Sequence, residues 1–361
     1  MREAVIVRAG RTAIGKVNGI HREKEAYELA ASVIGPLASG IEEKIDDVLL
    51  GNVVGPGGNV ARVAALEAGL PVHVPGLTLD RQCSAGLEAV RLASLMVQAG
   101  AGNCFIAGGV ESASTSPFPK RARFAPDRFG DPDMVPAAEN VAKEYGIARA
   151  EQDAFARESH ERSRAAFAEG TFSREIVDGQ VDEALAKERN IARIISRARP
   201  LVDVQGATVT AANSCQINDG AAAVVVMEGQ SAREYGLKPV LRFTDSFVIG
   251  ADSNLPGAAP IPAIRELLQR NGLSVADIGR FEINEAFASK ICAIAGTLGI
   301  PSERINPYGG ALAIGHPYGA SGAVLVTRLF HTADQHGSKY AVAAIGSGGG
   351  IGLAVLFEVL R

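Results

Sequence analysis

Asp80-Arg81-Gln82-Cys83-Ser84-Ala85-Gly86-Leu87-Glu88-Ala89-Val90 is the stretch on which the reading of this chain turns. The run Leu77-Thr78-Leu79 leads into it with the texture of a strand, and small and apolar residues continue beyond it as a helix to about Gln98. Cys83 therefore falls at a strand-to-helix turn. Unpaired N–H groups and the helix dipole favour an anion at such a place, which predicts a lowered thiol pKa and a nucleophilic thiolate. The competing reading is a buried small hydrophobe, the ordinary fate of a free cysteine.

Working outward, Val5–Val7 reads as a buried strand, Tyr27–Leu37 as a helix and Ile45–Gly51 as a second strand. A glycine-rich turn at Gly55–Gly58 and an alanine-rich helix through Leu66 follow, and Cys104–Gly109 is a further strand beyond the Cys83 helix. This alternation is the signature of a parallel α/β sheet. From Glu111 to Arg199 the texture changes. Prolines cluster at Pro117, Pro119, Pro126, Pro132 and Pro136, and the charge-rich helices Ala137–Tyr145 and Ala150–Ala168 come next, as in a surface-lying insertion. Sheet texture returns at Ala207–Thr210 and Ala221–Met227.

The second half then repeats the first. Leu241–Phe247 matches the opening strand, Ile261–Gln269 matches Tyr27–Leu37, and Phe281–Asn284 matches Val48–Gly51. Ala320–Ala323 falls on Cys83–Gly86, and Ala341–Ile345 with its glycine-rich end falls on Cys104–Gly109. Matches in one order at nearly one offset predict a duplicated α/β unit. The helices at Cys83 and Ala320 are the most apolar and would form the shared central layer. That brings Cys83 near the loop Gly309–Gly319, which carries His316. A Cys–His pair is an activated nucleophile, the imidazole taking the thiol proton and later returning it.

The totals exclude other classes. With 361 residues, 47% apolar and 21% charged, the chain is of globular type, and its net charge of −4 gives no argument for nucleic acid or an anionic membrane surface. Cys83, Cys104, Cys215 and Cys292 lack metal-ligand spacing, so no metal is expected. No apolar run is long enough to span a bilayer, and Ala4–Val7 opens a strand without a leader ahead of it, from which a cytoplasmic protein is expected.

Cys83 in its Cys-Ser-Ala-Gly-Leu setting, the block Asn284-Glu285-Ala286-Phe287-Ala288, the block Gly309–Ala323 with His316, the stretch Asn218–Ala222 and the glycine-rich C-terminal strand end together resemble thiolases over the whole chain. The resemblance implies a five-layer α/β/α/β/α fold. Its first half would be residues 1–110 and 200–235, its loop domain residues 111–199 and its second half residues 236–361. It implies a homodimer or homotetramer acting on acyl-CoA and CoA, with CoA as substrate or product and no permanently bound cofactor. Carried over, Cys83 is the acyl-accepting nucleophile and His316 its base. Asn284 holds an oxyanion water, the Cys83 and Gly348 N–H groups form an oxyanion hole, and Cys215 and Phe287 lie along the substrate.

The sequence also departs from the family. Gly346-Ser347-Gly348 stands where thiolases read Cys-x-Gly, so the cysteine that shuttles the α-carbon proton is Gly346. Ser347 should point to the other side of its strand. Asn213-Ser214-Cys215-Gln216 replaces Asn-Ala-Ser-Gly, and Asp133-Met134-Val135 replaces His-Met-Gly. Arg189, Arg193 and Arg197 would form one helical stripe, read either as a contact for CoA phosphates or as a solvated face. Three readings remain open at this stage: an acetyl-CoA C-acetyltransferase or 3-ketoacyl-CoA thiolase, an acyl-CoA hydrolase or non-Claisen acyltransferase, and a non-catalytic acyl-CoA-binding protein.

Overall fold

The computed structural model describes residues 2–117, 120–336 and 339–360; Pro119, counted above among the prolines of the insertion, lies outside them. The first half holds β1 (Ala4–Arg11), β2 (Gly15–Lys16), α1 (Ala26–Ala38), β3 (Asp47–Gly51), α2 (Val60–Glu67), β4 (Leu77–Leu79), α3 (Ala85–Ala99) and β5 (Cys104–Glu111). The helices α4 (Met134–Glu144), α5 (Arg149–Ala168) and α6 (Ile191–Arg197) follow, and then β6 (Asn218–Glu228) and α7 (Gly229–Glu234). The second half holds β7 (Leu241–Gly250), α8 (Pro260–Arg270), β8 (Ile278–Ile283), α9 (Ala288–Leu298), α10 (Ala311–Ile314), α11 (Tyr318–His331), β9 (Tyr340–Ser347) and β10 (Ile351–Val359).

The strands form one sheet in the order β4-β3-β5-β6-β1-β7-β10-β9-β8, with β2 on β6. Read from the junction of β1 and β7, the two sides mirror one another: β1, β6, β5 and β3 correspond to β7, β10, β9 and β8. The junction is short, Val5 opposite Arg242 and Ile6 opposite Leu241. The sheet is mixed rather than parallel. β3·β5 and β8·β9 are parallel, whereas β6 and β10 run antiparallel to their neighbours. The reason is local for β10. Gly348–Gly350 closes a tight hairpin after β9, with Gly349 and Gly350 at φ of 77° and 78°, and so reverses the strand.

Three helix layers enclose the two half-sheets. Leu29, Val33 and Ala61 of α1 and α2 pack on Val48, Ile106 and Val225. Leu87, Val90, Leu325 and Val326 of α3 and α11 are clustered with residues from both half-sheets, Phe105 and Val224 on one side and Ile345 and Val355 on the other. Ile264, Leu267 and Ile291 of α8 and α9 pack on Phe281, Val342 and Leu356. The central pair approaches backbone to backbone: a Cβ on Gly86 would lie 2.5 Å from Gly319 O, and one on Gly322 would lie 2.3 Å from Leu87 N. Glycine is required at that crossing. The crossing in turn fixes the N-termini of α3 and α11, and with them the two turns that carry Cys83 and His316.

Between β5 and β6 the chain leaves the sheet. Sheet texture expected at Ala207–Thr210 does not become a strand; Thr210 forms an isolated bridge with Pro200. The Glu139 carboxylate takes the N–H groups of Thr208 and Val209 instead, at 2.8 and 2.7 Å. The long connection is fastened to the core by buried charge. Arg11 of β1 donates to Glu175 at 2.8 Å and holds Asp182 with both terminal nitrogens at 2.7 and 2.9 Å, and Arg328 of α11 also pairs with Glu175. Among the described residues no helix is long and apolar enough to cross a membrane.

Candidate active site

The turn before α3 is built to present one side chain. Gln82 takes φ of 51°, and its N–H is held by Asp80 Oδ1 at 2.6 Å. Ser84 and Ala85 then donate back to Arg81 O and Gln82 O at 3.1 and 2.9 Å. Cys83 is left at the lip of a cavity of about 490 Å3 lined by Val53, Val54, Phe124, Met134, Ile217, Tyr318 and Gly348. Lys120 and Arg121 also line it. Volume and apolar lining are those of a small-molecule site. The thiol is not the preformed thiolate that the helix N-terminus predicts: burial pushes it up to about 12, against the pull of Lys290. Desolvation of a thiolate in apolar surroundings outweighs the dipole here.

His316 follows Gly315, whose φ of 110° and close approach to the Asn218 side chain admit only glycine. The His316 N–H is held by Gln216 O and Asn218 Oδ1 at 3.1 and 3.2 Å. The ring is buried. Ser321 Oγ donates to Pro317 O at 2.9 Å and so can accept at 2.5 Å from His316 Nδ1. That network assigns the proton to Nδ1 and leaves a lone pair on Nε2, which meets Asn284 Nδ2 at 3.3 Å. Burial, with the Lys290 charge adding to it, pushes the imidazolium down to about 3, so the ring is a neutral base throughout the neutral range. Tyr318 lies edge-on to it at 5.1 Å.

Cys83 and His316 share their neighbours. Lys290 acts electrostatically on both, Tyr318 borders both, and Cys215 interacts with Cys83 while its neighbour Gln216 holds the His316 backbone. No hydrogen bond joins Cys83 to His316 among the described residues; catalytic contacts in unliganded enzymes commonly tighten only once substrate is bound. Cys215 donates its backbone N–H to Ala286 O at 2.9 Å, and Phe287 pairs with Ser214, so the Asn284–Ala288 block is strapped beside the thiols. Burial pushes the Cys215 thiol to about 12 as well.

Gly346 has no room for a cysteine. A Cβ there would lie 2.4 Å from Pro256 O and 2.9 Å from Pro260 Cδ. Ser347 points the other way, as alternation along a strand requires. Its Oγ accepts from Ser84 N at 2.9 Å and meets Ser84 Oγ, capping α3 from across the core. The arginine stripe is not formed as expected. Helix α6 begins at Ile191 with Asn190 as its cap, so Arg189 lies ahead of it. Arg189 lines a different cavity, with His160, Ser214, Gln216 and Gly315, and Arg193 is exposed.

Sequence reasoning passed over Lys290, Tyr318 and Ser321. Lys290 was findable, because it is the one charged residue in the eleven-residue helix Ala288–Leu298, an otherwise uncharged element. Among the described residues no group of three His, Cys, Asp or Glu side chains could hold a metal ion.

Comparison with known proteins gives one answer. The thiolase N-terminal domain matches residues 4–230 and the thiolase C-terminal domain residues 237–359. YhfS of Bacillus subtilis (strain 168), provisionally named an acetyl-CoA C-acetyltransferase, is 56% identical over 361 residues, 99% of each chain. VraB of Staphylococcus aureus (strain MRSA252), provisionally named likewise, is 46% identical over 387 residues, again 99% of each. The crystal structure of the Bacillus anthracis acetyl-CoA acetyltransferase superposes with a TM-score of 0.92 at 32% identity, covering 100% of this chain and 99% of that one. Human mitochondrial 3-ketoacyl-CoA thiolase gives 0.92 at 30%, covering 99% of both. The chain belongs to the thiolase family and has its fold, and it is an enzyme of the thiolase type, an acyl-CoA C-acyltransferase.

Proposed function

We propose that the chain is an acetyl-CoA C-acetyltransferase or 3-ketoacyl-CoA thiolase that works through an acyl-thioester on Cys83. The observation that carries this reading is Cys83 opening on the same cavity as Gly348 and Tyr318, beside a neutral His316 whose Nε2 is unprotonated and meets only the long 3.3 Å contact from Asn284 Nδ2 among the described residues. His316 takes the thiol proton as Sγ attacks the thioester carbonyl and returns it to the departing CoA sulfur. The N–H groups of Cys83 and Gly348 face the developing oxyanion in the acyl-enzyme, and Asn284 holds the water that binds the thioester oxygen. Free CoA, or a second acyl-CoA, then takes the acyl group, and CoA is substrate rather than a resident cofactor.

Cys215, Met134 and Phe287 lie along the acyl and pantetheine portion. Lys120, at the cavity of Cys83, and Arg189 and Arg193, off it, are the cations offered to the nucleotide end. The exposed apolar side chains Val63, Leu66, Val72 and Leu77, around edge strand β4, support a homodimer, with Val72 80% exposed. Light scattering at micromolar concentration should give twice the chain mass or a multiple of it; a monomer would remove that part of the reading.

The test is turnover of acetoacetyl-CoA with free CoA into acetyl-CoA. Cys83→Ala should lower it by about 10⁴-fold or more. Asn284→Ala should lower it by about 10²–10³-fold. Turnover that survives Cys83→Ala would remove the nucleophile from the account.

A further inference from the structure

We propose that Lys290 Nζ is the group that removes and returns the α-carbon proton in this enzyme. The assignment rests on the acyl-thioester reading of Cys83 above. Making a carbon–carbon bond between an acyl-enzyme and a second acyl-CoA requires a base for that thioester's α-hydrogen, and cleavage requires an acid for the same carbon. His316 is committed to the sulfur, with Nδ1 tied to Ser321. Ser347 is committed to the cap of α3.

Lys290 is placed for the task. It is 2% exposed, and its Nζ has no hydrogen-bond partner among the described residues. An unpaired buried cation is costly, and structure alone gives no return for keeping one. The side chain lines a small cavity with Met134, Phe287, Pro256 and Gly346, so it borders the strand position where a cysteine has no room. Met134 lines this cavity and that of Cys83, so the two are neighbours. The titratable groups that face Lys290 are Cys83 on the turn before α3, Cys215 on the segment before β6 and His316 on the segment before α11. Its own helix carries no acid, and the acid nearest in sequence, Glu285 ahead of that helix, is engaged with Ser159 and Asn306 at 2.6 and 2.8 Å. Burial pushes the Lys290 ammonium down to about 8, against the pull of the two thiols, so the free amine is accessible near neutral pH.

The step balances. With an acyl group on Cys83, the neutral amine takes one α-hydrogen of the second acyl-CoA as a proton. The C–H electron pair forms the new carbon–carbon bond to the acyl carbonyl, and the bond from that carbon to Cys83 Sγ breaks, leaving a thiolate. The Lys290 ammonium then returns its proton to the thiolate by way of His316, which restores amine and thiol. In cleavage His316 takes the Cys83 proton as Sγ attacks the 3-keto carbonyl, the Lys290 ammonium protonates the α-carbon as the carbon–carbon bond breaks, and the imidazolium passes its proton on to the amine.

Two readouts on the full-length protein separate this claim from the one beneath it. One is acetylation of Cys83 by acetyl-CoA, followed by mass. The other is exchange of the acetyl-CoA methyl hydrogens for deuterium in heavy water. Lys290→Met keeps the bulk without the amine, and Lys290→Arg keeps a charge that does not deprotonate. Both variants should acetylate Cys83 much as wild type does, while methyl exchange and acetoacetyl-CoA turnover fall by about 10²–10⁴-fold. A small primary amine should restore part of the exchange in Lys290→Ala. Wild-type exchange should rise with pH through about 8, and neither variant should show that rise. Exchange retained in Lys290→Met overturns the proposal, as does parallel loss of acetylation and exchange, which would make the lysine structural. A wild-type protein that never acetylates would overturn the acyl-thioester reading itself, and the role of Lys290 with it.

Discussion

At the scale of single residues, the site keeps its nucleophile and its base uncharged until substrate arrives. Cys83 is held as a thiol near 12 and His316 as a neutral ring near 3, each mainly by burial. A thiolate–imidazolium pair is therefore not the resting state, and proton transfer must accompany attack on the thioester. Alkylation of Cys83 by iodoacetamide should rise with pH from 7 to 9, close to tenfold for each unit, because only the small thiolate fraction reacts. A plateau reached by pH 7 would show a preformed ion pair and contradict this electrostatic account. The nucleophile itself was legible in sequence because a turn and a helix start can be read locally. Its pKa was not, because desolvation comes from residues far away in the chain, such as Val53, Phe124 and Tyr318. Ser321 was hidden for the same reason: a serine on α11 acquires meaning only when the helix geometry sets it against His316 Nδ1.

Among elements, the contacts that matter most join pieces distant in sequence. Arg11 of β1, Glu175 and Asp182 of the long connection, and Arg328 of α11 form one buried charged cluster. Burial opposes ionisation of Glu175, but Arg328 and Arg11 more than offset it and hold the carboxyl below its ordinary value. A depressed carboxylate pKa stabilises the fold above the unfolded-state value, and the contribution is lost as pH falls through the native one. Acid unfolding should therefore include a component below about pH 4.5 that Glu175→Gln removes. At neutral pH, Glu175→Ala should cost about 3–5 kcal/mol in chemical denaturation, since it leaves Arg11 and Arg328 buried without that partner. A loss below about 1 kcal/mol, the scale of an exposed pair, would contradict the role given to this cluster. The sequence showed a proline- and charge-rich insertion but not this fastening, since nothing in a one-dimensional pattern pairs Arg11 with Asp182. The strand expected at Ala207–Thr210 failed for a related reason: Glu139, about seventy residues earlier, takes the N–H groups a ladder would have used.

On the scale of the whole molecule, duplication explains why the site exists. Two α/β units place α3 and α11 between their half-sheets, and the glycine crossing at Gly86, Gly319 and Gly322 draws the two helix starts together. The repeat was readable because its elements recur in order at nearly one offset; it led to the expectation that Cys83 and His316 are close, and in the structure the two share Tyr318 and Lys290 as neighbours. The direction of β6 and β10 was not readable, because strand direction is set by what connects the strands rather than by the strands' own apolar texture. Every proposed step passes through a covalent acyl group at Cys83, and intact-mass measurement tests for it most directly. Wild type and Cys83→Ala would each be mixed with acetoacetyl-CoA, and free CoA would then be added. An acetyl adduct should form on wild type alone, and CoA should discharge it as acetyl-CoA. An adduct cleared only by water would point to a hydrolase, and absence of any adduct while acyl-CoA still binds would contradict the central claim.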